Sequence, residues 1–311
     1  MRVVVALGGN ALSPTGGTGT VEEMRAAVAG VSAVLAELVA RDVSLVLTHG
    51  NGPQVGRILL QQEAAAPAVP PMPMDVCGAQ SQGQIGYLLA QALDNALRAR
   101  RLAARVFPLL TQVVVDGHDP AFRRPTKPVG PTYDQHTAQH IATVSGHVFG
   151  EIGPGRWRRL VASPAPVGFV EAEPIRLAAG SGHVLVAAGG GGVPVVADGD
   201  DYRGVEAVVD KDRTAAVLAR FLHADQFVVL TEVSKVQIGY GTPHARALDT
   251  LAVSDAGKLL AAGEFPEGSM GPKVEACVDF VAGGGGRAVI GALADAVDVV
   301  LGTAGTAIVP D

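Results

Sequence analysis

The chain has 311 residues, 48% of them hydrophobic, which is enough to bury a large core in one domain or in two lobes. Its 30 acidic residues outnumber the 24 lysines and arginines, and no basic block stands out, so the composition argues against a nucleic-acid-binding protein. No apolar run reaches the length of about 18 residues that a transmembrane helix needs. Cys77 and Cys277 have the spacing of neither a zinc site nor a disulfide framework. We therefore expect a cytoplasmic protein with no membrane span and no resident metal.

The first stretch predicts a buried strand that ends in an anion-binding turn. Residues 3–7 are apolar and rich in β-branched valine, and the run stops at Gly8, Gly9 and Asn10, too early for a signal peptide. Loops that leave the carboxyl ends of parallel strands form the ligand crevice of an α/β sheet, and glycines there let backbone N–H groups approach an anion. This turn is the first part of a predicted ligand site.

The same arrangement recurs in the next segment. Thr20 and Glu23 have the spacing of a capping box, so they predict the start of an amphipathic helix over residues 21–40. A second buried strand, residues 43–47, leads into the sequence THGNGPQVG at 48–56, in which Pro53 suits the first turn of a further helix. This is a second strand-to-helix turn of the anion-binding type.

A long helix is predicted after the proline-rich linker at 66–73, with Asp75 as its N-cap and residues 76–98 as its body. Within it, the sequence GAQSQGQIG at 78–86 places small residues on the helix. Such residues suit close approach by a backbone or a ligand, and they equally suit tight packing against a helix or a second subunit. Both interpretations stay open at this point.

The segment at about 117–166 predicts an inserted subdomain. Pro, Arg and His become frequent there, apolar periodicity fades after the strand-like residues 109–116, and the segment has its own short apolar runs and the one tryptophan, Trp157. Its sequence PTKPVGP at 125–131 is a stiff loop that presents Lys127. His136 and His140 have a spacing that could bind a metal, but no acid motif accompanies them, so we interpret them as surface residues.

The second half returns to alternating strands and helices. Two strands are predicted within 184–197, on either side of four glycines, and a third at 227–231. Helices are predicted after 204–212, from Ser254 as N-cap to about residue 262, and from 268–273 to about 281. The last strands are predicted at 288–290 and 299–301. This pattern favours an α/β sheet that is covered by helices on both faces.

Three lysines stand in unusual positions, whereas the GxxxxGK[ST] and GxGxxG phosphate fingerprints are missing. Lys127 lies among prolines, and Lys273 lies at a helix start, where a cation opposes the helix dipole by roughly 0.3 to 1 kcal/mol unless an anion is also present. Lys211 lies between two aspartates and has two equal interpretations. Either Asp212 caps an exposed helix and the lysine points outward, or the lysine binds phosphate while Asp210 or Asp212 holds neighbouring lysines in place.

These motifs together resemble the carbamate kinases of the amino acid kinase family over nearly the whole chain. The matching sequences, in chain order, are ALGGNAL, THGNGPQVG, DVCGAQSQG, PTKPVGP, RRLVASPAP, AAGGGGVPV, GVEAVVDKD and GSMGPKVEA. The resemblance implies one three-layer α/β/α sandwich with a mainly parallel central sheet. It also implies an N-terminal lobe at 1–180 that contains the protruding subdomain, a C-terminal lobe at 181–311, and a homodimer.

The activity implied by the resemblance is reversible phosphoryl transfer between ATP and carbamate, which gives ADP and carbamoyl phosphate and is often run toward ATP in arginine catabolism. Mg²⁺ would accompany the nucleotide. Carbamate is already a nucleophilic anion, so the reaction needs no general base, but it needs cations and N–H donors that spread charge in a loose transition state. The residues implied by motif are Gly8, Gly9, Asn10, Gly50, Asn51 and Gly52 for carbamate and the transferring phosphoryl group, Lys127, Lys211, Asp212 and Lys273 for catalysis, and Lys211, Lys273, Met270, Gly271, Thr231 and Tyr240 for the nucleotide.

Two rival functions differ in the acceptor or in the class of protein. Relatives that act on acetylglutamate, glutamate or another small carboxylate or phosphonate commonly have a lysine just before the first glycine pair, where this chain has Ala6 and Leu7, and they lack the sequence PTKPVGP. A nucleotide-binding regulatory protein needs affinity but no transition-state charge, so the retained lysines argue against it.

Overall fold

The computed structural model describes residues 1–9, 12, 16–266 and 268–311. The strands, labelled in chain order, are β1 (Arg2–Leu7), β2 (Ser44–His49), β3 (Val106–Pro108), β4 (Gln112–Val115), β5 (Lys127–Tyr133), β6 (Val148–Gly153), β7 (Arg156–Val161), β8 (Pro166–Phe169), β9 (Val184–Val186), β10 (Val193–Asp198), β11 (Asp201–Gly204), β12 (Gln226–Thr231), β13 (Gln237–Ile238), β14 (Arg246–Ala247), β15 (Thr250–Ala252), β16 (Arg287–Ala292) and β17 (Thr306–Val309). The helices are α1 (Val21–Ala40), α2 (Gly52–Ala65), α3 (Met74–Ala99), α4 (Gln135–Ser145), α5 (Ala172–Ala179), α6 (Lys211–Phe221), α7 (Val253–Ala261), α8 (Gly271–Ala282) and α9 (Ala296–Leu301).

The main sheet has the spatial order β15-β17-β16-β12-β1-β2-β9-β3. Its pairings are parallel except for the one between β16 and β17. The expected α/β fold with a mainly parallel central sheet is therefore confirmed. A second sheet, in the order β11-β10-β4-β8, receives the predicted strand at 109–116 and the strand that follows the four glycines.

Helices cover both faces of the main sheet because alternate residues of each strand point to opposite sides. Val3, Val5 and Leu7 of β1 share a buried cluster with residues of α1, α3 and α9. Val4 and Ala6 belong to a second cluster, which contains residues of α5, α6, α7 and α8. The unbroken apolar run of the first stretch thus reflects burial on both faces, and the three-layer arrangement is confirmed.

β1 lies in the middle of the sheet, between β12 and β2. Leu7, its last residue, is in register with Leu230 of β12 and with His49 of β2. Thr231, which ends β12, is in register with Ala292 of β16. Because these strands are parallel and end at the same level, the loops that follow them lie side by side at one edge.

The segment predicted as an inserted subdomain contains the antiparallel sheet β5-β7-β6 and helix α4. Val129 of β5 and Val161 of β7 share a buried cluster with Val55 of α2. The hydroxyl of Tyr133, at the end of β5, donates to Glu63 of α2 at 2.5 Å. These contacts fix the position of β5, the strand that begins at Lys127. His136 and His140 of α4 are exposed, as expected.

Two predicted N-caps are wrong, and at both helix starts a carboxylate from a distant segment accepts from a backbone amide. The capping box of Thr20 and Glu23 is confirmed at α1. Asp75 does not cap α3, whose N-cap is Pro73, and the amide of Met74 donates instead to the Glu206 carboxylate at 3.1 Å. Ser254 likewise lies inside α7 rather than at its cap, and its amide donates to Asp311 at 3.0 Å.

The strand predicted at 299–301 is also wrong, because these residues form the last turn of α9. Ala296, Val299 and Val300 are buried in the cluster that contains residues of α1, so their spacing follows a helical face rather than a strand. The last strand is β17. Within the part of the chain that the structure describes, no helix combines the length and apolarity that a bilayer crossing requires.

Candidate active site

Two glycine-containing loops lie against each other at the carboxyl edge of the main sheet. The amide of Gly8 donates to the Leu230 carbonyl at 3.0 Å, and the amide of Gly50 donates to the Leu7 carbonyl at 3.1 Å. A Cβ atom on Gly50 would lie only 3.0 Å from Cα of Gly9. Glycine therefore permits this close approach of two backbones, which a side chain would force apart.

Asn51 joins these loops to two other elements. Its Nδ2 donates to the hydroxyl of Ser81 on α3 at 2.8 Å, and a Cβ atom on Gly190 would lie 2.1 Å from the same nitrogen. Gly52 is the first residue of α2, and no atom lies within 4 Å of the position its Cβ would take. The small residues of α3 thus include a direct partner of the site. Asn10, the remaining expected carbamate ligand, lies outside the described residues.

His49 is a buried residue of this edge that the sequence analysis did not single out. Its Nδ1 donates to the Gly50 carbonyl at 3.0 Å. A Cβ atom on Gly189 would lie 2.3 Å from its Nε2, so the ring packs directly on the glycine-rich turn at 189–192. Burial lowers the pKa of His49 to about 4, the Gly50 carbonyl opposes the shift and the charge of Lys211 adds to it. The imidazole is therefore neutral at physiological pH. We call residues 8–9, 50–52 and 189–192 the glycine turns.

Asp212 lies between two of the predicted lysines. Its Oδ1 accepts from Lys211 Nζ at 2.6 Å, and its Oδ2 accepts from Lys273 Nζ at 3.1 Å. The three side chains are 5%, 13% and 17% exposed, so all are largely removed from water. Burial alone would raise the pKa of Asp212, but the two ammonium groups outweigh it and lower the pKa to about 2. The carboxylate is therefore charged at neutral pH, and it fixes both lysines.

Asp210, not Asp212, is the N-cap of α6. Its Oδ1 accepts from the amides of Asp212 at 2.9 Å and Arg213 at 3.4 Å. Its Oδ2 accepts from Nζ of Lys127 at 2.9 Å. The interpretation of Lys211 as an outward-pointing surface lysine is therefore wrong.

Lys273 has an anionic partner that compensates its position at a helix start. This lysine lies in the first turn of α8, where its charge is unfavourable on its own. The Asp212 carboxylate supplies the missing anion from within the protein. Lys127, Asp210, Lys211, Asp212 and Lys273 thus form one connected group, which we call the lysine–aspartate chain.

A cleft of about 640 Å³ opens beside Lys273 and the first glycine turn. Four of the six expected nucleotide ligands line it, namely Thr231, Tyr240, Met270 and Lys273, whereas Lys211 and Gly271 do not. Gly271 is buried at the start of α8, where its amide donates to the Pro266 carbonyl at 3.0 Å. The cleft is further lined by residues that the sequence analysis missed, namely Glu232, Val233, Lys235, Gln237, Pro266, Gly268, Ser269, Ala292, Leu293 and Ala294.

These missed residues share a position rather than a motif, because most of them follow the ends of β12 and β16 or precede α8. They could have been found by the rule that located the glycine turns, namely that ligands bind at the carboxyl ends of parallel strands. Lys235 is the one further cation among them, and its ammonium forms an ion pair with Asp249.

Comparison with known proteins gives similarity over nearly the whole chain. The sequence model described as the amino acid kinase family matches residues 1–292. The chain is 46% identical to a carbamate kinase of Pyrococcus furiosus over 99% of both chains, and 43% identical to one of Trichomonas vaginalis over 100% of both. The solved structure of carbamate kinase from Giardia lamblia bound to AMP-PNP is 38% identical, with a TM-score of 0.93 over 100% of this chain and 98% of that one.

Proposed function

Because the chain belongs to the amino acid kinase family, we propose that it is a carbamate kinase, which transfers a phosphoryl group reversibly between ATP and carbamate. A carbamate oxygen attacks the γ-phosphorus, the bond from that phosphorus to the β-phosphate oxygen breaks, and ADP leaves with the electron pair. The products are ADP and carbamoyl phosphate. The observation that carries the proposal is the lysine–aspartate chain, which joins three lysines from three elements at the sheet edge.

The reaction brings one anion up to another, so catalysis depends on preset positive charge. We assign Lys211 and Lys273 to the phosphate oxygens, because their ammonium groups are fixed and largely desolvated. Charges act more strongly in such surroundings than in water and need little reorganisation during the reaction. We assign Lys127 to the transferring phosphoryl group, which it reaches from the side of β5, and Asp212 to holding the other two lysines.

The glycine turns supply the uncharged part of the proposed site. We assign the backbone N–H groups of Gly8, Gly9, Gly50 and Gly52, together with the amide of Asn51, to carbamate and the transferring phosphoryl group. Asn10 is assigned the same role from its motif. The sequence has Ala6 where relatives with other carboxylate acceptors commonly have a lysine, which favours carbamate over those acceptors.

The cleft beside Lys273 is the proposed nucleotide site. Val233, Met270 and Leu293 give it an apolar wall that suits an adenine ring, and Thr231, Tyr240 and Lys235 offer polar groups. We propose that the triphosphate runs from this cleft past Lys273 toward Lys211. Gly271 contributes to this site by forming the first turn of α8 beneath Lys273.

Mg²⁺ is proposed as part of the nucleotide substrate. Among the described residues, no group of three or more His, Cys, Asp or Glu side chains could hold a metal ion. Asp210 and Asp212 are each paired with a lysine. These residues do not fit a resident magnesium cage, so the ion would enter on the phosphates of ATP or ADP.

A homodimer is part of the proposal. Tyr87, Phe107 and Leu110 are 55%, 45% and 49% exposed, and a depression of about 410 Å³ lies between α3 and the end of β3 in the same area. An apolar surface of this kind suits a subunit interface. Light scattering on the purified chain should give twice the chain mass, and a value near 31.6 kDa contradicts the dimer. We further propose a cytoplasmic enzyme that makes ATP from carbamoyl phosphate in arginine catabolism.

The experiment that tests the function is ATP formation by the purified chain from ADP, carbamoyl phosphate and Mg²⁺, followed with luciferase. ATP should form well above an enzyme-free blank. Parallel reactions with ATP and glutamate or N-acetylglutamate, followed as ADP release, test other acceptors. ATP formation no faster than the blank contradicts the proposal. Release of ADP with glutamate or N-acetylglutamate at a higher rate than ATP formation from carbamoyl phosphate favours a kinase of another small carboxylate. Nucleotide binding without turnover of any acceptor favours a regulatory protein.

A further inference from the structure

We propose that Asp210 is a positioning residue for phosphoryl transfer, because it holds the Lys127 ammonium at the site through a direct ion pair. The inference rests on the proposed function, in which Lys127 contacts the transferring phosphoryl group. Asp210 itself touches no reacting atom in this account. Its effect on the reaction passes through Lys127.

The two oxygens of the Asp210 carboxylate have separate tasks. Oδ1 accepts from the backbone amide of Asp212 at 2.9 Å and so caps α6. Oδ2 accepts from Nζ of Lys127 at 2.9 Å. One carboxylate thus joins the strand that begins at Lys127 to the helix that begins at Lys211.

Asp210 is the fixed member of the pair. Its side chain is 16% exposed, whereas that of Lys127 is 40% exposed. The hydroxyl of Thr214 donates to the Asp210 carbonyl at 3.1 Å and to the Gly191 carbonyl at 3.0 Å. A Cβ atom on Gly191 would lie 2.1 Å from the Val209 carbonyl oxygen, so the backbone before Asp210 packs directly on a glycine turn.

Lys127 is the adjustable member. Its backbone is placed by the pairing of β5 with β7, in which Lys127 is in register with Val161. Its side chain has several rotatable bonds, and holding a lysine in one rotamer has an entropic cost of up to about 2 kcal/mol. The ion pair with Asp210 selects a rotamer before substrate arrives, which is the preorganisation that favours catalysis.

Asp210→Asn separates the two tasks of this carboxylate. Asparagine is as good an N-cap as aspartate and keeps the acceptor at Oδ1, but it removes the charge that pairs with Lys127. We expect turnover to fall about tenfold, because the Lys127 rotamer would then have to be fixed during the reaction and part of that entropic cost would be added to the barrier. KM for carbamoyl phosphate should stay the same or fall, because a negative charge beside the phosphoryl site is lost.

A second variant and a double-variant cycle separate positioning from capping. Asp210→Ala should lower turnover to the same extent as Asp210→Asn but should also lower the melting temperature, since it removes the cap. In a Lys127→Met background, Asp210→Asn should cause no further loss of turnover. Wild-type turnover in Asp210→Asn overturns the inference. If Asp210→Asn lowers turnover in the Lys127→Met background as much as it does in the wild type, the inference is also overturned, because Asp210 would then act independently of Lys127.

Chemical labelling of the ligand-free protein tests the pair independently of any substrate. Lys127 and Lys258 are acetylated with acetic anhydride, and their labelling rates are compared by mass spectrometry after digestion with a glutamyl endopeptidase. Lys258, whose side chain is 75% exposed and lies on α7, serves as the internal standard. The ratio of Lys127 to Lys258 labelling should rise several-fold in Asp210→Asn. An unchanged ratio overturns the inference whichever acceptor the enzyme uses, whereas inactivity of the wild type toward carbamoyl phosphate overturns only the proposed function.

Discussion

The glycine turns and the lysine–aspartate chain meet at one edge of the sheet and differ in what they bring and in what fixes them. The glycine turns bring uncharged N–H groups, and backbone contacts between neighbouring strands fix them. The lysine–aspartate chain brings full charges, and ion pairs between distant segments fix it. Close approach therefore depends on the absence of side chains in one region, and charge depends on mutual pairing of side chains in the other.

Because of this difference, substitutions in the two regions should have different effects on stability and turnover. Removing a charge from the lysine–aspartate chain leaves its partners uncompensated in a site with little water. Adding an atom to a glycine turn forces two backbones apart but leaves the charges in place. The variants below alter one region at a time, and their effects are expected to become smaller in the order given.

Asp212→Asn should have the largest effect, because Lys211 and Lys273 would face each other without the carboxylate between them. Loss of one partner from a buried ion pair costs about 3–5 kcal/mol of unfolding free energy, which urea denaturation measures. Since the pKa of Asp212 lies at about 2, below its usual 3.8, the charged carboxylate stabilises the wild type at neutral pH, and part of this stabilisation is lost as the pH falls from 3.8 through about 2.

Asp255→Asn is the matched control, since its ion pair with Lys258 on α7 lies on the surface. It should leave the denaturation midpoint nearly unchanged. Added ATP or phosphate should restore part of the stability of Asp212→Asn by placing an anion between the lysines. Equal midpoints for Asp212→Asn and the wild type contradict the assigned role of Asp212.

Lys273→Ala should lower turnover by about 100- to 1,000-fold, the loss that follows removal of one preorganised donor to transition-state charge. The fold should survive, because Asp212 keeps its ion pair with Lys211. Initial rates of ATP formation and circular dichroism measure the two effects. Lys258→Ala is the control lysine and should keep wild-type rates. A Lys273→Ala variant with more than a tenth of wild-type turnover places this lysine outside the reaction.

His49 should give the glycine turns a pH-dependent stability. Burial lowers its pKa from 6.5 to about 4, so between these values the unfolded chain binds a proton that the folded chain does not. Stability should therefore fall as the pH drops from 6.5 to 4, by up to about 3 kcal/mol. The urea midpoint should change less with pH over this range in His49→Asn than in the wild type. Asparagine keeps a donor near the Gly50 carbonyl but does not titrate. Parallel slopes in the two proteins argue against a buried neutral imidazole.

Gly50→Ala should lower the free energy of unfolding by about 1–3 kcal/mol, because the new methyl group would press on Gly9 and the backbone would have to shift. KM for carbamoyl phosphate should rise, since the shift moves the N–H groups of both loops. Gly56→Ala is the matched control on α2, where no atom lies within 4 Å of the position of the added Cβ. If both variants behave alike in thermal unfolding and KM, the close approach of the two loops is unimportant.

The two regions also differ in how far the sequence predicts them. The glycine turns follow local rules, because an apolar run that stops at glycine marks the carboxyl end of a buried strand. The edge at Gly8 and Gly50 was therefore predictable. His49 is the last residue of β2 and lies in the motif at 48–56, and it was missed because a single histidine at the end of a strand gives no pattern of its own.

The contacts of the lysine–aspartate chain depend on tertiary structure and could not be predicted from local pattern. The lysines were recognised by their settings, but nothing near Lys127 in the sequence indicates that it pairs with Asp210. Asp212 was the cap of α6 in one of the two interpretations of Lys211, whereas the cap in the structure is Asp210 and Asp212 pairs with two lysines. The wrong cap at Asp75 has the same origin, because the partner of the Met74 amide comes from Glu206.

ATP formation from ADP, carbamoyl phosphate and Mg²⁺, measured side by side for the wild type and Lys127→Ala, tests the central claim most directly. The wild type should form ATP rapidly. Lys127→Ala should fold to the same melting temperature within a few degrees and form ATP about 100- to 1,000-fold more slowly. A wild type that makes no ATP contradicts the proposed reaction, and a variant as fast as the wild type contradicts the role given to the lysine–aspartate chain.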